Sequence, residues 1–148
     1  MPAWVREGFD EYARRLPREC RLVLTEIALA RRPKNSPVAR LVEEEGRRML
    51  AAVPGGAHAV ALELGGREWS SEDLAQALSR WRSGGIDVSL LVGGPDGLSP
   101  ECRKRAGESW CLSRLTFPHA LVRIIVAEQL YRAYSILQGH PYHRGDDD

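Results

Sequence analysis

The stretch Leu90-Leu91-Val92-Gly93-Gly94-Pro95-Asp96-Gly97-Leu98-Ser99-Pro100-Glu101 decides the fold. It opens as an unbroken apolar run, the pattern of a strand buried on both faces. Gly93-Gly94 then frees the backbone and lets a ligand come close to the main chain. Pro95-Asp96-Gly97 has turn chemistry. Ser99 suits a helix N-cap, Pro100 the first helical position, and Glu101 the first turn, where an acid complements the helix dipole. Strand, glycine loop, helix is the order at which ligands bind in open α/β sheets. The glycines spell neither G-x-G-x-x-G nor G-x-x-x-x-G-K-[ST], which argues against the usual dinucleotide fold and against a P-loop. Taken alone, the loop also suits a plain connection.

Working outward, the flanking segments alternate. Upstream, Ile86 to Val92 completes the strand, and Ala57 to Leu64 is a second apolar strand with His58 at its start. Between them Ser70 or Ser71 caps a helix with Glu72 and Asp73 in its first turn, Leu74, Ala77, Leu78 and Trp81 as its stripe, and Gly84-Gly85 as its stop. Further back, the spacing of Trp4, Val5, Phe9, Tyr12 and Leu16 predicts an amphipathic helix ended near Pro17. Arg21 to Ile27 is predicted as a strand. Ala30 to Pro37 is a basic loop with Arg31, Arg32 and Lys34, either a solvated connection or a contact for phosphates. Ser36 is expected to cap the next helix with Pro37 at its first position, and Glu43-Glu44-Glu45 with Arg47-Arg48 have i,i+4 spacing. Downstream come a short helix with Arg103-Lys104-Arg105, a brief strand from Ser109 to Ser113, a loop, and a long helix from Pro118 to Leu137. The class is therefore α/β with a mostly parallel sheet.

Composition narrows the partners. With 148 residues the chain is expected to form a single domain over 1–148. A formal net charge of +1 leaves no overall attraction for nucleic acid, so any such contact needs a local patch or a dimer that merges two. Cys20, Cys102 and Cys111 form no C-x-x-C, which suits reduced thiols and a cytoplasmic protein. No apolar run is long enough to span a membrane. No constellation suggests a metal.

The last third is more specific. Leu115-Thr116-Phe117-Pro118-His119, Leu121-Val122-Arg123, Ala127 through Ile136, and His140-Pro141-Tyr142-His143-Arg144 resemble the carboxy-terminal signature of the RlmH family of SPOUT-class methyltransferases. Gly93 to Pro100 and the opening Met1 to Val5 with Glu11-Tyr12 extend the resemblance over nearly the whole chain. It implies helices on both faces of the sheet, a C-terminal trefoil knot, and a homodimer. The implied activity is methylation of N3 of a pseudouridine in large-subunit (23S) ribosomal RNA on the assembled ribosome, from S-adenosylmethionine. It also accounts for a chain that opens on a helix, since family members carry a strand before this point. That strand is absent from this sequence: the expected case is a start that lies upstream, and the alternative is a sheet without the strand, which would leave ladder groups and apolar side chains uncovered.

By position the resemblance carries cofactor contacts to Leu62, Gly94, Ser113, Arg114, Leu115, Thr116, Phe117 and Pro118. Leu62 and Leu115 also suit ordinary core. The catalytic candidates are Tyr142, His143 and Arg144, with His143 the better base, because imidazole titrates near neutrality. An Arg holds phosphate or a developing negative charge. Without the resemblance His140, Tyr142, His143 and Arg144 read as a polar tail. His119 suits a helix start, and Arg123 and Glu128 suit dimer or tail packing. Phosphate contacts are expected from Arg31, Arg32, Lys34 and Arg103-Lys104-Arg105. The acids Asp146 to Asp148 lie beyond the family's usual end and would repel RNA. Two other readings stay open: an inactive ribosome-associated relative without methyl transfer, and an α/β enzyme for another nucleotide-like ligand.

Overall fold

In a computed structural model, residues 1–144 are described, the His143 side chain aside. Asp146 to Asp148 therefore lie outside the described residues. The chain divides into two compact units.

The second unit, residues 25–68 and 86–116, holds the sheet. Strands β1 (His58–Glu68), β2 (Val88–Val92) and β3 (Glu108–Cys111) are all parallel, in the order β2-β1-β3. The central strand is buried on both faces, with Ala59 and Ala61 on one and Val60 and Leu62 on the other. That explains an apolar run without alternation. On the alanine face, Ala59, Ala61 and Leu91 pack with Leu98 and Cys102, and Met49, Leu50 and Val53 close over them. Those residues bring in helices α2 (Val38–Ala52) and α4 (Pro100–Arg105). Gly46 of α2 faces Ser99, and a Cβ there would stand 2.7 Å from the Ser99 Cβ, so the two helices meet at near-backbone distance.

The first unit, residues 1–24, 69–85 and 117 onward, is helical. Helix α5 (His119–Gln138) packs against α1 (Ala3–Ala13) and α3 (Ser71–Gly84). Gly8 of α1 lets Ile124 of α5 come in, and Ser71 donates to Gln129 at 2.9 Å. Ser70 and Asp73 form a complete capping box on α3, and Gly85 ends it at φ +67°. A 3₁₀ turn (Arg18–Cys20) follows α1, and another (Pro141–Arg144) follows α5. No helix among the described residues is long and apolar enough to cross a membrane.

Two expectations are corrected. Arg21 to Ile27 forms no strand among the described residues. A strand needs a neighbouring edge, and this stretch straddles the boundary between the units and leaves Val23 63% exposed. Ser36 does not cap α2; Pro37 takes the N-cap position without any side-chain bond. Elsewhere the elements fall within three residues of the ends the sequence gives, except that β1 runs through Gly65-Gly66 to Glu68, four residues past the expected end at Leu64.

Candidate active site

The glycine turn sits just past the end of β2. It is closed by a 3.0 Å bond from Gly97 N–H to the Gly94 carbonyl, with Gly97 at φ +88°. Ser99 then caps α4 by accepting from Cys102 N–H at 3.1 Å, with Pro100 at the first position. Leu62 is in register with Val92 on one side and Trp110 on the other. The carboxyl ends of the strands thus carry Leu62, the turn at Gly94, and the loop that begins at Ser113 along one edge. Beyond Leu62 the β1–β3 register slips, and Gly66 lies against the Trp110 backbone at a distance no Cβ would allow.

The loop after β3 is shaped by its own polar atoms. The Ser113 hydroxyl accepts from Leu115 N–H at 3.0 Å, and the Cys111 thiol donates to the Ser113 carbonyl at 3.2 Å. Leu115 is 70% exposed, and Arg114 and Thr116 are exposed beside it. An open apolar side chain next to unencumbered main chain fits a flat heteroaromatic ligand such as adenine. Phe117 and Pro118 belong to the helical unit, where Pro118 is the N-cap of α5 and His119 its first residue.

Beneath the glycine turn lies a residue that sequence reasoning missed. The Glu45 carboxylate is buried; its Oε2 accepts from Ala30 N–H at 2.9 Å and from Arg32 at 2.9 Å. Arg32 also donates to Asp96 at 2.6 Å, tying loop 30–32 to the turn. Glu45 Oε1 has no hydrogen-bond partner among the described residues, and a Cβ on Gly94 would stand 2.9 Å from it. Gly94 therefore leaves room for the Glu45 carboxylate. The signal was in the spacing: Glu45 falls between Leu41 and Met49 on the apolar stripe of α2, whereas Glu43 and Glu44 pair with Arg47 and Arg48 as expected.

The expected phosphate contacts are largely committed elsewhere. Arg32 is held by Glu45 and Asp96, Arg103 donates to Glu63 at 2.7 Å, and Arg105 donates to the Ala57 carbonyl at 2.7 Å. Arg31, Lys34 and Lys104 remain exposed. His58 meets Glu108 at 2.6 Å at the opposite end of β1, a strand-end hydrogen bond.

The catalytic candidates lie in the helical unit. Tyr142 is buried, its ring edge-on to Tyr131 at 4.7 Å and its hydroxyl donating to Glu128 at 2.9 Å. Arg132 and Arg15 lie over its ring at 5.0 and 5.9 Å. Burial first, and then the bond to Glu128, pushes the Tyr142 phenol well above the ordinary tyrosine value. Tyr142 thus holds the last turn in place. His143 shares that turn by its backbone, its side chain outside the described residues, and Arg144 is exposed. Glu128 packs the tail, as its place on the last helix suggests.

Comparison with known proteins gives the class. The family described as "Predicted SPOUT methyltransferase" matches residues 1–143. The chain belongs to the SPOUT methyltransferase family. One curated SPOUT relative is the "Ribosomal RNA large subunit methyltransferase H" of Methylococcus capsulatus. It is 62% identical over 144 residues, covering 97% of this chain and 93% of the relative. SPOUT membership agrees with the RlmH resemblance and with the parallel α/β sheet.

Proposed function

We propose that this chain is an S-adenosylmethionine-dependent methyltransferase acting on N3 of a pseudouridine in 23S ribosomal RNA, on the assembled large subunit, as a cytoplasmic homodimer. The observation that carries the reading is the carboxyl edge of the sheet, where the Gly94 turn and the exposed loop 114–116 follow the strands beside the buried Leu62. The relative's name supplies the class of substrate.

The donor, when bound, supplies an electrophilic methyl on a sulfonium. Leu62 and Leu115 would wall the adenosine, Gly94 would admit it to the main chain, and Ser113, Arg114 and Thr116 would offer backbone groups to its edge. Phe117 and Pro118 continue that loop into α5. With the donor bound, His143 from the C-terminal turn of the second copy would take the proton from N3 of the ring that receives the methyl. Arg144 faces the negative charge of the uracil ring or a neighbouring phosphate. Tyr142 positions both through its turn, and no metal takes part. A C-terminal trefoil knot belongs to this reading.

The dimer is supported by the apolar residues that α5 leaves uncovered. Leu121 and Leu137 are 40% and 37% exposed, and Val122, Ile124 and Ile125 are only half-buried. A second copy would enclose them.

The test is mass mapping of large-subunit RNA after incubation with the protein and labelled donor. One pseudouridine should gain a single methyl at N3. Label on another base, or none, overturns the assignment. A chain that binds subunits and donor without transfer is the inactive relative.

A further inference from the structure

A cleft outside the carboxyl edge lies in the helical unit. It has a volume of about 330 Å³ between the end of α1 and the first 3₁₀ turn. Leu16 and Pro17 line it, Arg14, Arg18 and Arg21 rim it, and Asp10 is the one acid among its lining residues. The turn is closed by bonds from Cys20 N–H to the Pro17 carbonyl at 2.9 Å and from Arg21 N–H to the Arg18 carbonyl at 3.2 Å. Arg18 and Arg21 stand at the two ends of that last bond, and both line the cleft.

The charges at this rim are not matched. Arg14 is paired with Glu11 at 2.9 Å and Asp10 with Arg6 at 3.7 Å. Arg18 and Arg21 are exposed and take no ion pair among the described residues. Arg32 and Arg103, in contrast, are neutralised by their own chain.

We propose that this cleft docks the sugar–phosphate backbone of the RNA substrate, with Arg18 and Arg21 as its phosphate contacts. A guanidinium fork matches phosphate oxygens, and Leu16 and Pro17 give an apolar floor for a sugar. The proposal rests on the reading of ribosomal RNA as substrate. It places the electrostatic footprint on the residues after α1, away from the basic clusters that the sequence advertises.

The experiment measures binding to purified large ribosomal subunits over a range of salt. The double variant Arg18→Glu, Arg21→Glu should bind at least tenfold more weakly. The slope of log K against log salt should fall by about 1–2. Affinity for S-adenosylmethionine should stay unchanged, which confirms the fold. Should the double variant fail to fold, Arg18→Gln alone should lower the slope by about 1. An unchanged slope with intact donor binding overturns the proposal. So does a loss seen on intact subunits but not on deproteinised RNA, which would make the partner a ribosomal protein. Wild-type protein that binds subunits without methylating them refutes the proposed function while leaving the slope comparison readable.

Discussion

Gly93 has no room for a side chain. A Cβ there would stand 2.6 Å from the Gly97 carbonyl carbon and 2.8 Å from Leu98 N, both backbone atoms that cannot swing aside. Gly93→Ala should lower stability by about 1–3 kcal/mol, read from the denaturant midpoint. Gly94 meets instead the Glu45 carboxylate, so Gly94→Val should abolish donor binding in calorimetry while the oligomeric state is kept. His143→Ala should keep donor affinity and lose turnover in single-turnover assays; unchanged turnover would remove it from the chemistry. Tyr142 gives a pH signature. The fold favours its neutral phenol, so that contribution is full below the ordinary tyrosine value of about 10 and is lost as pH rises through the raised folded value. The stability gap between the parent and Tyr142→Phe should therefore narrow above pH of about 10, followed by denaturant midpoints. At this scale the sequence was legible where chemistry is local, as at Ser99 and Gly97. It was silent on Glu45, whose role depends on Ala30 and Arg32 arriving from a distant loop.

Helix starts show how far local chemistry reaches. Ser70 was legible because its partner Asp73 is only three residues on, and both halves of the box form. Ser70→Ala should cost about 1 kcal/mol. Ser36 has the same side chain and the same proline neighbour as Ser99, yet it makes no cap. Ser36→Ala should stay within about 0.5 kcal/mol of the parent, both caps being read from denaturant midpoints. The difference is tertiary: Ser99 is buried beside Gly46, whereas Ser36 stands at the end of an exposed loop. The segment Arg21 to Ile27 was misread for a related reason. Its composition suits a strand, but composition does not supply the neighbouring edge that a ladder requires. The parallel strands were legible because burial on both faces leaves an unmistakable apolar run.

At the scale of the molecule, the alternation of elements gave the class, and residues 115–144 gave the family. The separation into a sheet unit and a helical unit was not legible, because the helical unit is built from segments far apart in sequence. The proposed dimer makes a prediction here. The protein should sediment as a dimer, and Leu121→Glu should shift it toward monomer by placing a charge on the exposed side of α5. A wild-type monomer at micromolar concentration would count against it.

Arg15, beside the end of the first helix, reaches the ring of Tyr142 in the final turn. Synthesis on the ribosome usually lets amino-terminal parts mature early. Here the first helix completes its packing only when α5 and the turn that carries Tyr142 have been made, so these distant segments settle together rather than in order of synthesis.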